Sequence, residues 1–132
     1  MSQNSKPDDD RRETGRQVMR EVLGAQYCER RDASTNAFNA PIRQLSEEFA
    51  YGSLWTRPGI DRRTRSLVTL GMLTALNRPH EMAIHLEGAV NNGCTAEEIR
   101  ETLTHTVAYC GFPAAIDALR AAEAFLRDKK ML

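Results

Sequence analysis

The residues HEMAIHLEGAV at positions 80–90 predict an amphipathic helix, and this pattern decides the fold class. Its apolar stripe recurs at helical spacings of three and four residues, at Met82, Leu86, Ala89 and Val90. His85 lies on that stripe, three residues after Met82 and four before Ala89. An inward imidazole needs hydrogen-bond partners, so His85 is either a core residue satisfied by a neighbouring carbonyl or a functional group.

Capping and turn signals on both sides of this stretch divide the chain into further helices. Pro79 opens the helix, and Asn92-Gly93 closes it. Asp61 caps the preceding helix, and Thr95-Ala-Glu-Glu is a capping box for the next one. The predicted helices run from about Glu13 to Arg30, through Phe38 to Leu54, from Arg62 to about Leu76, from Pro79 to Asn92-Gly93, from Thr95 to Gly111, and onward from Pro113.

About six helices joined by short loops predict an all-α fold. No segment alternates with a period of two, so no sheet is predicted. Residues 13–132 are predicted to form a single domain with a small core that is completed by oligomerisation. Residues 1–12 carry Ser, Asn, Pro and three consecutive aspartates with almost nothing to bury, and they are predicted to be a disordered tail.

The spacing of apolar residues predicts which face of each helix points inward. In the second helix the stripe comprises Phe38, Ile42, Leu45, Phe49 and Leu54. Glu48 is predicted to lie at the edge of that stripe, beside Phe49. In the third helix Leu67, Leu70, Gly71 and Thr74 share a face, where Gly71 would allow close helix contact. The last two stripes are Ile99, Leu103, Val107 and Cys110, then Ile116, Leu119, Ala122 and Phe125 or Leu126.

The composition excludes several classes of protein. Lys plus Arg and Asp plus Glu both number 18, so the clustered positive charge of a nucleic-acid binder is not expected. No apolar run approaches the roughly 20 residues needed to cross a bilayer, and the N-terminus does not resemble a signal peptide. Three widely spaced cysteines without a Cys-x-x-Cys pair predict reduced thiols in a cytoplasmic protein.

Four clusters of polar residues are candidates for chemistry. They are Glu47 and Glu48, the turn residues Trp55 and Arg57, the helix-opening Arg62, Arg63 and Arg65, and the histidines His80, His85 and His105. Charged pairs in helices are mostly solvated, a lone tryptophan usually packs in a core, and a turn arginine is usually exposed. Arginines at a helix start oppose the dipole, which is easier to explain if one binds an anion, although plain surface charge explains them equally well.

Several mechanisms are disfavoured by spacing. His80 and His85 are five residues apart, which places them about 140° apart around a helix, and no His-x-x-x-His pair exists. No serine stands on a glycine-flanked elbow, and no glycine-rich phosphate loop is present. The remaining chemistry is acid–base catalysis by His and Glu, with arginines holding an anion.

Four collinear segments resemble the 4-carboxymuconolactone decarboxylase family. They are LWTRPGIDRRTRSLVTLGML at 54–73, HLEGAVNNG at 85–93, EEIRE at 97–101 and YCGFPAA at 109–115. The resemblance spans about residues 15–127. It implies the all-α fold of the alkylhydroperoxidase-like superfamily and assembly as a homo-oligomer, a trimer or a hexamer, with sites near subunit contacts.

The resemblance also reveals what this chain lacks. The peroxidase branch of the superfamily carries a relay Glu and a Cys-x-x-Cys upstream of its histidine. Anchoring that pattern on His85 puts the cysteine positions at Arg78 and Glu81 and the relay position at Ser66. Thiolate chemistry cannot run without these thiols, so a peroxidase is disfavoured.

The implied reaction is loss of CO2 from 4-carboxymuconolactone, which gives the β-ketoadipate enol-lactone in protocatechuate (aromatic) catabolism. No cofactor and no metal are implied, because the electrons left behind pass through C=C to the lactone carbonyl as a dienolate. The implied catalytic residues are His85, His105 and Glu48, and the implied substrate-binding residues are Arg57, Arg65, Trp55, Glu81 and Tyr109. Arg57 and Arg65 would bind the dianion, His85 would act as donor or acid, and Glu81 would orient its ring.

Three alternatives stay open at this point. They are an alkylhydroperoxidase-like protein, a related lactone-processing enzyme of the same fold, and a non-catalytic helical ligand-binding protein. The expected partners are a small dicarboxylate lactone and further copies of the chain, with no nucleic acid and no membrane.

Overall fold

The computed structural model describes residues 7–132, and within that range every regular element is helical. The elements are α1 Pro7–Leu23, α2 Ala25–Ala33, α3 Ala40–Leu45, a π-helix Ser46–Leu54, α4 Arg62–Leu76, α5 Pro79–Asn91, α6 Ala96–His105, α7 Val107–Cys110 and α8 Phe112–Asp128. The prediction of an all-α fold is therefore confirmed. No helix in this part of the chain is long and apolar enough to cross a membrane.

Two of the predicted helices are interrupted by particular residues. Gly24 has φ 95° and ψ 153°, so the helix expected over 13–30 ends at Leu23 and a second one begins at Ala25. Thr106 separates α6 from α7, and its hydroxyl donates a hydrogen bond to the carbonyl of Leu103, which competes with regular helical bonding. The described chain therefore has more, shorter helices than the six expected.

The predicted N-terminal tail differs from the structure over half of its length. Helix α1 begins at Pro7, so residues 7–12 are helical, while residues 1–6 lie outside the described part of the chain. Arg12 makes a tertiary ion pair with Glu47, which explains why this polar segment is ordered. The chain divides into two compact units, with the boundary between Ile60 and Asp61. A single domain over 13–132 stays a prediction.

In the first unit α1 packs directly on the π-helix, and glycines make this approach possible. A Cβ atom on Gly15 would lie 1.7 Å from the carbonyl oxygen of Glu47. A Cβ atom on Gly52 would lie 2.5 Å from the carbonyl oxygen of Arg11. The two backbones therefore touch where each lacks a side chain. The buried apolar residues of this unit are Val18, Met19, Val22, Leu23, Cys28, Tyr51 and Trp55.

For the second helix, the prediction of which residues point inward is wrong for this chain taken alone. All members of the predicted stripe are exposed: Phe38, Ile42, Leu45, Phe49 and Leu54. The side that faces α1 instead carries Glu47 and Tyr51, both buried. Glu47 tolerates burial because arginines from α1 and α2 pair with its carboxylate.

The second unit packs α4, α5, α6 and α8 around one apolar cluster. Its buried members are Leu70, Met82, Leu86, Ala89, Cys94, Ile99, Leu103, Ala118, Ala122 and Leu126. The caps formed as expected: Asp61 Oδ1 accepts from the Thr64 N–H at 2.7 Å, and Thr95 and Glu98 form the capping box. Gly93 follows α5 with φ 91°.

Three side-chain predictions in the second unit are wrong. A Cβ on Gly71 would meet no atom within 4 Å, so Gly71 makes no close helix contact. Ile116 is exposed, because α8 turns Ala115 and Ala118 inward instead. Val107 and Cys110 are only partly buried, and they lie in α7, which Thr106 separates from α6.

Candidate active site

His85 lies on α5 among the buried residues Met82, Leu86 and Ala89. The ring is half-buried, and its Nδ1 atom is buried. Burial lowers the pKa of the His85 imidazole below its ordinary value, and the charge of Glu81 opposes this only in part. The imidazole is therefore neutral at pH 7, and in this form one ring nitrogen can donate a hydrogen bond and the other can accept one.

Glu81 lies one turn before His85, in the first turn of α5. Its side chain is exposed, and its charge acts on the His85 ring. A nearby negative charge favours the protonated imidazole, so Glu81 moderates the effect of burial. Of the expected pairs, this is one that the structure brings together.

Helix α4 contributes Arg65 and Ser66. Arg65 is half-buried, and its Nε atom is buried. Ser66 is fully buried, and its hydroxyl oxygen accepts a hydrogen bond of 2.9 Å from the side-chain amide of Asn92. Asn92 follows His85 by seven residues, about two turns, so the two share a side of α5. This polar link joins α4 to the C-terminal end of the histidine helix.

His105 and Tyr109 form an exposed pair at the junction of α6 and α7. Their ring centroids are 5.5 Å apart, and the rings are tilted by 43°. The Tyr109 side chain is 82% exposed. This pair is open to solvent, in contrast to the buried Nδ1 of His85.

Glu48 is half-buried in the π-helix of the first unit. Its carboxylate accepts a hydrogen bond of 2.9 Å from Gln44 Nε2. A role of this carboxylate in proton transfer stays a prediction.

Trp55 and Arg57 follow the π-helix but have different surroundings. Trp55 is buried and stacks on Tyr51, with ring centroids 6.0 Å apart and an interplanar angle of 10°. Arg57 is exposed in the following turn, where its backbone N–H donates to the carbonyl of Leu54. Trp55 therefore anchors the turn that presents the Arg57 guanidinium.

The sequence analysis names Glu47 and Glu48 together as a candidate cluster, with a solvated face as the alternative, and it does not predict that Glu47 is buried. Glu47 is only 2% exposed and is bound by Arg12, Arg16 and Arg31. Burial alone would raise the pKa of Glu47, but the hydrogen bonds from Arg12 and Arg31 and the charge of Arg16 outweigh it and hold that pKa below its usual value. The only available signal was Arg12 and Arg16 one turn apart on α1.

The candidate residues divide between the two units. Glu48, Trp55 and Arg57 belong to the first unit, whereas Arg65, Glu81, His85, His105 and Tyr109 belong to the second. Their meeting in one active site stays a prediction. Within residues 7–132, no three His, Cys, Asp or Glu side chains are grouped so that they could hold a metal ion.

Two of the three cysteines, Cys28 and Cys94, have the properties of structural thiols. Cys28, Cys94 and Cys110 are all free. Burial raises the pKa of the Cys28 and Cys94 thiols, and Cys94 Sγ lies 3.4 Å from the carbonyl oxygen of Arg63. A thiol with a raised pKa is a poor nucleophile at pH 7.

Comparison with known proteins places these features in context. Residues 41–124 match the family model described as the carboxymuconolactone decarboxylase family. The 4-carboxymuconolactone decarboxylase of Acinetobacter baylyi is 40% identical over 121 residues, 92% of this chain and 90% of that protein. The nitrosuccinic acid decarboxylase of Metarhizium robertsii is 40% identical over 114 residues, 86% of this chain and 80% of that protein. An uncharacterized 15.0 kDa protein of Paracoccus denitrificans is 34% identical over 85 residues, 62% of this chain and 63% of that protein.

Proposed function

Because the chain belongs to the carboxymuconolactone decarboxylase family, we propose that it decarboxylates a small dicarboxylate, with 4-carboxymuconolactone as its substrate. The observation that carries the proposal is the likeness to the Acinetobacter decarboxylase over nearly the full length of both chains. The half-buried His85 on an otherwise apolar face supports it, since packing alone does not call for an imidazole there.

The proposed reaction balances without an external electron acceptor. The bond between the ring carbon and its carboxylate breaks, CO2 leaves, and the electron pair moves through the C=C bond to the lactone carbonyl oxygen. A proton then adds to carbon to give the enol-lactone. The protein must therefore bind a dianion, stabilise negative charge on one oxygen and deliver one proton.

His85 is assigned the hydrogen bond to the lactone oxygen. A buried imidazole with a lowered pKa is neutral at pH 7, and a neutral N–H donor stabilises a developing enolate oxygen without first needing a proton. Protonation of carbon is then assigned to His105 or Glu48. His105 is exposed beside Tyr109, whereas Glu48 is half-buried beside Gln44.

The two carboxylates of the substrate are assigned to Arg57 and Arg65. A guanidinium binds a carboxylate through two parallel hydrogen bonds, which also fixes its orientation. Arg65 is half-buried on α4, and Arg57 is exposed in the turn that follows the Tyr51–Trp55 stack. Trp55 supports this turn and Tyr109 borders the substrate. Glu81 keeps the His85 ring oriented.

Assembly into a homo-oligomer, a trimer or a hexamer, is part of the proposal. The single chain exposes apolar residues at helical spacing in each unit, which is costly in water. In the first unit they are Phe38, Ile42, Leu45 and Phe49, and in the second they are Val68, Met72 and Leu76. Size-exclusion chromatography with light scattering tests this, and a monomer at micromolar concentration would contradict it.

Nitrosuccinate is a second candidate substrate, favoured by the similarity to the Metarhizium enzyme. It too is a dicarboxylate with its own electron acceptor, because the nitro group takes up the electron pair when the neighbouring carboxylate leaves. The same arginines and the same neutral donor would serve both reactions. A thiol peroxidase finds no support, given the buried, protonated Cys28 and Cys94.

A parallel assay decides between these substrates. Purified protein with EDTA is supplied with 4-carboxymuconolactone or with nitrosuccinic acid, and CO2 release is measured. We expect His85→Ala to lower turnover by about 100-fold or more, because removal of one oxyanion donor costs that much. His80→Ala, an exposed histidine on the same helix, is the matched control and should leave turnover unchanged. Turnover of neither compound by the wild-type protein would refute the proposal.

A further inference from the structure

A carboxylate held by three arginines lies at the centre of the first unit. Glu47 Oε2 accepts a hydrogen bond from Arg12 Nε at 2.8 Å. Its Oε1 accepts from Arg16 Nη1 at 2.8 Å and from Arg31 Nη1 at 3.0 Å. A solvated helix face does not need this arrangement, and a carboxylate is buried only at considerable cost unless it is fully paired. The buried carboxylate and its three arginines therefore need a structural or functional explanation.

The arginines are themselves fixed by second partners. Arg16 Nη2 donates to Asp32 Oδ2 at 2.9 Å, and Arg31 Nη2 donates to the carbonyl of Arg43 at 3.1 Å. Helices α1, α2 and α3 are in this way all joined to Glu47. Charge-assisted hydrogen bonds from restrained donors fix the position of the Glu47 carboxylate more closely than a single surface ion pair would.

Glu47 belongs to an element that rarely forms without support. Residues Ser46–Leu54 make nine residues of π-helix, whereas π geometry usually occurs as a single turn and often near functional sites. The same segment is pressed against α1 by the glycine contacts at Gly15 and Gly52. Two independent features, the arginine contacts and the glycine crossing, thus fix the π-helix on α1.

The buried residues of the π-helix connect Glu47 to the turn that carries Arg57, the proposed substrate-binding residue. Glu47 and Tyr51 are four residues apart and both buried, and Trp55 follows after four more and stacks on Tyr51. Arg57 comes two residues later, with its N–H bonded to the carbonyl of Leu54. A shift at Glu47 is therefore passed through packed rings to the turn that carries Arg57.

We propose that Glu47 is a positioning residue, whose arginine-held carboxylate sets the register of the π-helix and thereby the placement of Trp55 and Arg57. Glu47 itself touches no substrate. The consequence for substrate binding rests on the proposed function of Arg57, whereas the consequence for Trp55 does not.

Glu47→Gln tests this directly, because it removes the charge and keeps the shape of the side chain. Trp55 is the only tryptophan, so its fluorescence reports on the end of the π-helix. We expect red-shifted emission and stronger quenching by acrylamide, with far-UV circular dichroism unchanged. We also expect KM for 4-carboxymuconolactone to rise about 10-fold with a smaller change in kcat, since misplacement of a binding group by about 1 Å costs up to about 100-fold.

Matched variants separate positioning from general loss of stability. Glu29→Gln removes the exposed partner of Arg20 between the same two helices and should leave both the Trp55 spectrum and KM unchanged. Glu47→Asp keeps the charge, so its Trp55 spectrum and its KM should lie closer to the wild-type values than those of Glu47→Gln. If Glu47→Gln does not fold, Arg12→Gln serves in its place, because it removes a single donor whose side chain is half-exposed. We expect Arg12→Gln to change the Trp55 emission and KM in the same direction, by a smaller amount than is expected for Glu47→Gln.

Two results would overturn the inference. One is a folded Glu47→Gln or Arg12→Gln protein with the wild-type Trp55 spectrum and KM. The other is a fall in kcat alone for Glu47→Gln, which would make Glu47 part of the chemistry. If the wild-type protein decarboxylates none of the tested dicarboxylates, the proposed function fails, and the Trp55 measurements still decide whether Glu47 holds the π-helix.

Discussion

The same glycine-to-alanine change should have opposite effects at two helical positions. Gly15 lies inside α1 and Gly71 inside α4. In an open helix, Ala is favoured over Gly by about 1 kcal/mol, because it restricts the unfolded chain and shields the backbone. A Cβ on Gly71 meets nothing within 4 Å, so this gain should be realised in full.

At Gly15 the new methyl group has no space. Its Cβ would lie 1.7 Å from the carbonyl oxygen of Glu47, a backbone atom, so α1 or the π-helix must move by about 2 Å to reach the ordinary contact of about 3.5 Å. Overpacking of this kind costs about 1–3 kcal/mol. The movement also lengthens arginine bonds to Glu47, each worth about 1.5–3 kcal/mol. When the helix-propensity gain is subtracted, we expect the free energy of unfolding of Gly15→Ala to be about 3 kcal/mol below that of the wild type.

The two variants are compared by urea unfolding, with Trp55 fluorescence following the first unit and far-UV circular dichroism following both. We expect the free energy of unfolding to fall by about 3 kcal/mol for Gly15→Ala and to rise by up to about 1 kcal/mol for Gly71→Ala. Equal effects of the two substitutions would refute the backbone contact between α1 and the π-helix. A destabilising Gly71→Ala would mean that another surface packs against α4 at this glycine.

Three further predictions concern the second unit. Burial lowers the pKa of His85, so at mildly acidic pH the unfolded chain binds a proton there that the folded chain does not. The free energy of unfolding should therefore fall as the pH drops below about 6.5. His85→Gln should flatten this part of the pH profile, measured by urea titrations. Catalysis by the neutral ring should likewise persist above pH 6.5 and decline in acid. Arg65→Met keeps the apolar stem and removes the charge, so KM for a dicarboxylate should rise about 10-fold or more, since a charged hydrogen bond is worth about 1.5–3 kcal/mol; an unchanged KM, measured by initial rates, would remove Arg65 from the site.

The features that sequence predicted well depend on neighbours within a few residues. The Asp61 cap and the Thr95–Glu98 capping box each close over three residues, so their residue types suffice to locate a helix start. The stripe of α5 is equally local, because Met82, Leu86 and Ala89 follow from helical spacing alone. The likeness of the chain to its family then supplied the reaction class, which no spacing rule contains.

The features that sequence missed depend on partners far along the chain. Glu47 is 35 residues from Arg12, 31 from Arg16 and 16 from Arg31. Each of these residues alone resembles surface charge, and only the packing of α1 and α2 on the π-helix brings them together. The π-helix itself has no sequence signature of this kind, and it shifts the inward side of the second helix from Leu45 and Phe49 to Glu47 and Tyr51.

The exposed stripe of the second helix follows helical spacing, but its burial depends on partners far along the chain or outside it. Phe38, Ile42, Leu45 and Phe49 keep the spacing of a buried face, yet α1 occupies the opposite side of the π-helix. Because the glycine crossing and the arginine-held Glu47 already fill that side, the apolar residues have no place left within their own unit. A spacing rule predicts that a face will be buried but does not say in which chain its partner lies. The proposed assembly would bury this stripe, and the Glu47 cluster determines which face of the segment is left exposed for it.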